Sequence, residues 1–177
     1  YIYIPIVVNG IVIAYMGRLY IGSDNTSLPR YNMKMLREDI PLIGFYDEVS
    51  ENFSTNTIYL TEGYLDSYAI NYAMSNYVSI CMFGKGKIKN IIDTLANTFS
   101  SNTKIYLTLD SKKKDREIVK SNIMIGNILI EYFPNTYIVE LTNEDPNSLL
   151  NNYGPMELKE DLNRKVTPFF KYKIFNK

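Results

Sequence analysis

The sequence predicts an α/β fold: a mostly parallel four-stranded sheet flanked by helices, preceded by a β-hairpin subdomain. Three observations carry that expectation. Two β-rich runs flank an Asn-Gly pair near the start. From residue 57 onward, short apolar runs alternate with segments whose apolar residues recur at helical spacing. The composition is that of a folded chain: of 177 residues, 46% are hydrophobic and 21% charged, which excludes wholesale disorder.

The elements follow in order. Residues 2–8 and 11–16 read as strands joined by Asn9-Gly10, a pair that tolerates the positive φ of a tight two-residue turn. Residues 22–32 (GSDNTSLPRYN) are turn-rich and read as a loop, and residues 33–56, broken by Pro41 and Gly44, as short helices or loops. Residues 58–61 form a short strand. Residues 64–76 place Leu65, Ala69, Tyr72 and Ala73 on one helical face. Residues 78–83 form the next strand, and residues 87–99 carry Ile88, Ile91, Ile92, Leu95 and Phe99 at helical spacing. Residues 104–109 are a third strand. Residues 114–132 carry a stripe of Ile118, Ile125, Ile128, Leu129 and Tyr132 that stops before Pro134, and residues 136–141 are a fourth strand. The order β-α-β-α-β-α-β implies parallel pairing through right-handed crossovers. The chain divides into a hairpin-containing subdomain (1–52), the α/β domain (53–150) and a tail or linker (151–177), whose aromatic residues Phe169, Phe170, Tyr172 and Phe175 are expected to dock back on the body.

Composition also excludes function classes. Lys and Arg total 19, as do Asp and Glu, so the chain as a whole is not a basic nucleic-acid-coating protein, and any such contact requires a local patch. Cys81 is the single cysteine, which excludes a disulfide framework and a cysteine zinc ribbon within these residues. Histidine is absent, which excludes Ser-His-Asp and Cys-His catalysis and His-ligated zinc. The available chemistry uses carboxylates, Lys and Arg, hydroxyls or the backbone. No stretch reaches the ~18–20 apolar residues of a membrane helix, and the apolar start lacks the basic flank of a signal peptide. The chain opens without Met, directly in a strand-like run, and reads as a piece of a larger polypeptide. Its wealth of Lys, Asn, Ile and Tyr suits an A/T-rich genome.

In an open parallel sheet, sites form at the carboxyl ends of the strands. Acids stand at three of these ends: Glu62 after the first, Asp110 after the third and Asp145 just beyond the fourth. Asp66, four residues after Glu62, can face the same mouth. Oxygen ligands without His or Cys suit Mg²⁺ or Mn²⁺. The competing reading is structural, since an acid at a strand-to-helix junction often only caps a helix.

Thr61-Glu62-Gly63-Tyr64-Leu65-Asp66-Ser67-Tyr68-Ala69 resembles the acid-Gly motif of TOPRIM domains, in the version found in bacterial-type and phage DNA primases. The strand ending Phe83-Gly84, the strand ending Asp110, and the segment from Glu144 to Gly154 follow in the family's order. Upstream, Ile4-Pro5-Ile6 with Asn9-Gly10, Gly17-Arg18 and Pro29-Arg30-Tyr31 resemble the run that precedes the domain. The resemblance spans about residues 1–154. It implies a TOPRIM-like fold and RNA primer synthesis on single-stranded DNA by metal-dependent nucleotidyl transfer, as the catalytic portion of a larger replication protein. Glu62 and Asp110 match the catalytic acids, with Asp66 and Asp145 as further metal ligands beside Mg²⁺ or Mn²⁺. Arg18, and Arg30 where the family more often has Lys, match basic residues near nucleotide or template phosphates. The implied partners are a single-stranded DNA template, ribonucleoside triphosphates and a replicative helicase in cis or trans, with no membrane, in a bacterial or phage-infected cytoplasm.

The chain departs from the pattern at Lys112, where a second aspartate is expected, and at Asn147, often acidic. Lysine for aspartate changes the local charge by two units, and a protonated lysine cannot ligate a cation. The alternative is therefore a non-catalytic TOPRIM-like structural or DNA-binding module with a degenerate metal site; a nuclease of the same fold is a third reading. Lys85 and Lys87, in Gly84-Lys85-Gly86-Lys87, lack the Walker spacing but can meet nucleotide or DNA phosphates, as can Lys112, although charge runs are usually only solvated. Tyr31 and Tyr64 can stack on bases, while most tyrosines fall on strands and are expected to pack.

Overall fold

The computed structural model describes residues 1–19, 31–46, 56–74, 77–84, 88–109, 116–141 and 144–176. The chain opens with β1 (Ile2–Val8) and β2 (Ile11–Arg18), antiparallel about the expected turn. Asn9 and Gly10 both take positive φ, 52° and 71°, as a two-residue hairpin turn requires. The hairpin is not alone. Tyr31–Met35 forms β3, antiparallel to β2, within a stretch expected to be loop or short helix. Met33 and Met35 turn partly inward while Asn32 and Lys34 face solvent, a strand alternation too short and too poor in β-branched residues to show in the sequence.

The second sheet holds β4 (Thr57–Thr61), β5 (Val78–Cys81), β6 (Lys104–Thr108), β7 (Thr136–Val139) and β8 (Val166–Pro168), in the order β5-β4-β6-β7-β8. The first four strands are parallel, as expected. β8 adds a fifth, antiparallel to β7. The segment expected as tail or linker thus supplies a strand whose three residues carry no periodicity of their own. Tertiary pairing makes it.

Six helices are described: α1 (Tyr64–Ala73), α2 (Ile88–Thr98), α3 (Arg116–Tyr132), α4 (Pro146–Tyr153), α5 (Pro155–Arg164) and α6 (Phe169–Phe175). A single residue, Gly154, ends α4 and begins α5. Its φ of 88° lies where side chains are strained.

Two buried clusters cover the two faces of the sheet. One gathers Ile58, Leu60, Ile80, Ile105, Leu107 and Ile138 against α2, α3 and the inward residues of the first sheet, Ile6, Ile13 and Met16. The other sets Tyr59 and Val139 against Ala69 and Ile70 of α1, Leu149 of α4 and Leu158 and Leu162 of α5. On that face the rings of Tyr59, Tyr106 and Tyr137 stack across three strands with centroids 4.9 and 5.1 Å apart, so these tyrosines pack as expected. Burial raises the Tyr59 phenol well above its usual range, with a smaller contribution from Tyr106 and Tyr77.

The free edge of β5 is closed by two devices. The Asn71 side chain of α1 accepts from Ser79 N at 2.5 Å and donates to Ser79 O at 3.1 Å. The Gly44 backbone pairs with Cys81 in both directions. An unpaired edge would invite another chain, and here both inter-residue slots are filled from within.

The aromatic tail docks in part: Phe169 and Tyr172 are buried, whereas Phe170 and Phe175 stay exposed. Phe169 is buried against α3, and a Cβ built on Gly126 would overlap its ring. A helical Gly→Ala change ordinarily gains about 1 kcal/mol, but overpacking a closed core costs about 1–3 kcal/mol. Gly126→Ala is therefore expected to lower stability by up to about 2 kcal/mol, read from the denaturant midpoint at unchanged slope; a rise in midpoint would show that Phe169 is not seated on this helix.

Candidate active site at the carboxyl edge of the parallel sheet

β4 ends at Thr61, and α1 begins at Tyr64. Glu62 and Gly63 make the turn between them. Thr61 is fully buried and Glu62 is half-buried at the mouth. The turn's backbone is held at both carbonyls. Glu62 O accepts from Cys81 Sγ at 3.3 Å, and Gly63 O accepts from Thr61 Oγ1 at 3.0 Å and from Ser67 N at 3.2 Å. Cys81 is wholly buried. Desolvation pushes its thiol far above the usual range, opposed by the Phe83 N–H and reinforced by the nearby Asp66 and Glu62 carboxylates, so it acts here as a neutral donor.

Gly63 permits a close approach. A Cβ at this position would overlap Asp66 Oδ2. Asp66, 8% exposed, thereby folds back against the turn, and its Oδ1 accepts from Asn147 N at 3.3 Å. Asp145 is the N-cap of α4, accepting from Ser148 N at 2.7 Å, with Pro146 in the first turn. Two carboxylates remote in sequence thus share one helix N-terminus, taking N–H groups of consecutive residues that have no partner within the helix. Thr108, paired in register with Thr61 on the neighbouring strand, is 1% exposed, and its Oγ1 has no hydrogen-bond partner.

Tyr64 is packed between Phe45 and Phe83, with ring centroids at 4.4 and 5.8 Å. This ring is committed to protein contacts rather than open for stacking on a base. Tyr31 is 43% exposed, and the Arg18 guanidinium lies over its ring at 4.5 Å. Arg18 stands at the end of β2, half-buried, with Nη1 buried and unpartnered. Asp110, Arg30, Lys85, Lys87 and Lys112 lie outside the described residues.

No family model and no curated protein matches the sequence. Solved structures do match. The RNA polymerase domain of Mycobacterium tuberculosis primase DnaG superposes with a TM-score of 0.75 at 16% identity, over 98% of this chain and 57% of that one. A DnaG primase catalytic domain bound to single-stranded DNA gives 0.74 at 19%, over 98% and 54%. The primase fragment of the bacteriophage T7 primase-helicase gives 0.56 at 16%, over 87% and 58%. The fold is that of a bacterial-type primase RNA polymerase domain. The chain spans a little over half the length of these three matches, between 54% and 58%.

Glu62, Asp66 and Asp145 come to one edge of the sheet, as their strand ends imply. Among the described residues, however, no three acids, cysteines or histidines form a group able to hold an ion. The donor chemistry at this edge does fit a hard divalent cation: carboxylate oxygens, an orphaned buried hydroxyl at Thr108 and, among the described residues, no sulfur donor except a protonated thiol. Asp66 and Asp145 each have one oxygen engaged with a backbone N–H.

Sequence reasoning missed Thr61, Ser67, Ser79 and Thr108. The expected face of α1 was Leu65, Ala69, Tyr72 and Ala73; the residues it buries are Asp66, Ser67, Ala69 and Ile70, and Tyr72 is 64% exposed. Near the site the buried stripe is polar, which an apolar periodicity cannot register. The spacing of Ser67 and Asn71, four apart and both turned to Ser79, was the available signal.

Asp145→Ala removes a cap and is expected to cost about 1 kcal/mol of stability, whereas Asp145→Asn retains most of it. Chemical denaturation of both variants checks this, and equal losses would mean the capping bond carries nothing.

Proposed function

We propose that this chain is the catalytic portion of a DNA primase, joining ribonucleotides into a primer on a single-stranded DNA template. The observation that carries this is Glu62, held at the carboxyl end of a central parallel strand in a primase RNA polymerase fold. In this reading residues 53–150 are the TOPRIM domain, residues 1–52 present Arg18 and Arg30, and residues 151–177 buttress the sheet.

Glu62 and Asp110 would hold Mg²⁺ or Mn²⁺, with Asp66 and Asp145 supporting them; the ion supplies charge neutralisation at the reacting phosphates. The chain's own residues do the rest. The turn that carries Glu62 is held at the carbonyls of Glu62 and Gly63. Arg18 offers a buried N–H with no internal partner, suited to a phosphate oxygen of a nucleotide or template. Lys85, Lys87 and Lys112 are proposed to meet the nucleic-acid backbone. The single-stranded DNA bound by one neighbour and the helicase joined to another support a template and a replicative helicase as partners. No described helix is long and apolar enough to cross a membrane, and the proposed setting is the cytoplasm of a bacterium or a phage-infected host.

A second reading, a non-catalytic module of a replication complex, is favoured by one residue, Lys112, where a metal-binding aspartate is expected.

Primer synthesis by the full-length polypeptide, on single-stranded DNA with ribonucleotides and Mn²⁺, separates the two. Glu62→Ala or Asp110→Ala is expected to lower the rate at least a hundredfold, on the order of what loss of one charge-stabilising group costs. Full synthesis by both variants would remove the mechanism. Absence of synthesis by the unaltered protein, together with DNA binding, would establish the second reading.

A further inference from the structure

The end of α1 nearest Glu62 buries three hydroxyls that no step of the proposed chemistry uses. Thr61, Ser67 and Ser79 are each fully buried. Ser79 Oγ lies 3.0 Å from Ser67 Oγ, Ser67 Oγ lies 2.6 Å from Thr61 Oγ1, and Thr61 Oγ1 lies 3.0 Å from Gly63 O. Their direction follows from counting protons. A carbonyl only accepts, so the single hydrogen of Thr61 goes to Gly63 O. Ser67 must then donate to Thr61, and Ser79 to Ser67. The result is a one-way chain from β5, through α1, to the carbonyl of the residue after Glu62.

A second observation bears on the same turn. Phe45 and Phe83 both take left-handed backbone conformations, with φ of 60° and 49°, which bulky residues rarely adopt. Both stack on Tyr64, the residue after Gly63. Strain of this kind persists only where surrounding contacts over-determine it, and it concentrates at sites that need a fixed geometry. The Glu62 turn is therefore held from three directions: the hydroxyl chain at Gly63 O, the Cys81 thiol at Glu62 O, and the aromatic stack at Tyr64. Apolar side chains would fill the same interior at lower desolvation cost, whereas a fully satisfied polar network adds directional bonds that rigidify it.

We propose that Thr61, Ser67 and Ser79 are positioning residues that hold the Glu62 carboxylate in place for its cation. This rests on the reading of Glu62 as a cation ligand. Thr61→Val preserves shape and removes the terminal donor, Thr61→Ser keeps it, and Ser67→Ala breaks the chain one step earlier.

The test is Mn²⁺ affinity of the full-length polypeptide, by calorimetry, beside its thermal midpoint, with Glu62→Gln as the reference for loss of this site. Thr61→Val is expected to weaken the Glu62-dependent binding about tenfold, Ser67→Ala less, and Thr61→Ser to restore it. A lowered midpoint with unchanged affinity in the folded variants would assign the hydroxyls to stability alone and overturn the proposal. If Thr61→Val does not fold, Ser67→Ala against wild type decides by the same measure. Binding by wild type no stronger than by Glu62→Gln would instead overturn the cation reading and the positioning role with it.

Discussion

Strand β4 is hydrogen-bonded along both edges, to β5 on one side and β6 on the other, in parallel register. The rest of the molecule depends on that pairing. Because the three strands run the same way, their carboxyl ends share one edge. Because β4 is central, its end cannot fray. The pairing extends past the strand itself, with Met82 N donating to Thr61 O at 2.9 Å. A residue placed one position beyond β4 therefore has its backbone anchored to the sheet.

The two faces of this sheet meet that edge differently. One face is largely apolar, and it joins the first sheet to the second through a continuous buried cluster. The other is apolar near the middle of the strands and turns polar toward the carboxyl edge, where Thr61, Ser67, Ser79, Asp66 and Thr108 are all buried. Burying hydroxyls and a carboxylate gains little free energy over burying hydrocarbon. The contribution is geometric, since each satisfied bond removes an alternative placement of the turn. Among the described residues, Arg18 Nη1, Thr108 Oγ1 and Asn122 Oδ1 are the complementary case: they are buried without an internal partner, which is costly.

The last segment of the chain is structural in its own right. β8 covers the β7 edge, Phe169 seats against Gly126, and α5 lays Leu158 and Leu162 on the polar-edged face. The α5 contacts hold α4, and the N-terminus of α4 is where Asp66 and Asp145 meet. The acids at the mouth are thus positioned in part by residues more than ten positions beyond them.

The amino-acid sequence by itself determined the alternation of strands and helices from residue 57, the Asn9-Gly10 turn, and the arrival of Glu62, Asp66 and Asp145 at one edge. These are local signals: periodicity, turn chemistry and the rule that parallel strands end together. It carried the family likeness through short motifs in order, which the shared fold bears out. Tertiary structure alone decided the third strand of the first sheet and the fifth strand of the second, because Tyr31–Met35 and Val166–Pro168 become strands only when a neighbour supplies their hydrogen bonds. It alone brought Asp66 and Asp145 to one helix N-terminus, where α4 offers each of them a backbone N–H. It alone formed the hydroxyl chain behind Glu62, because its members come from two strands and a helix and meet only when the sheet has closed.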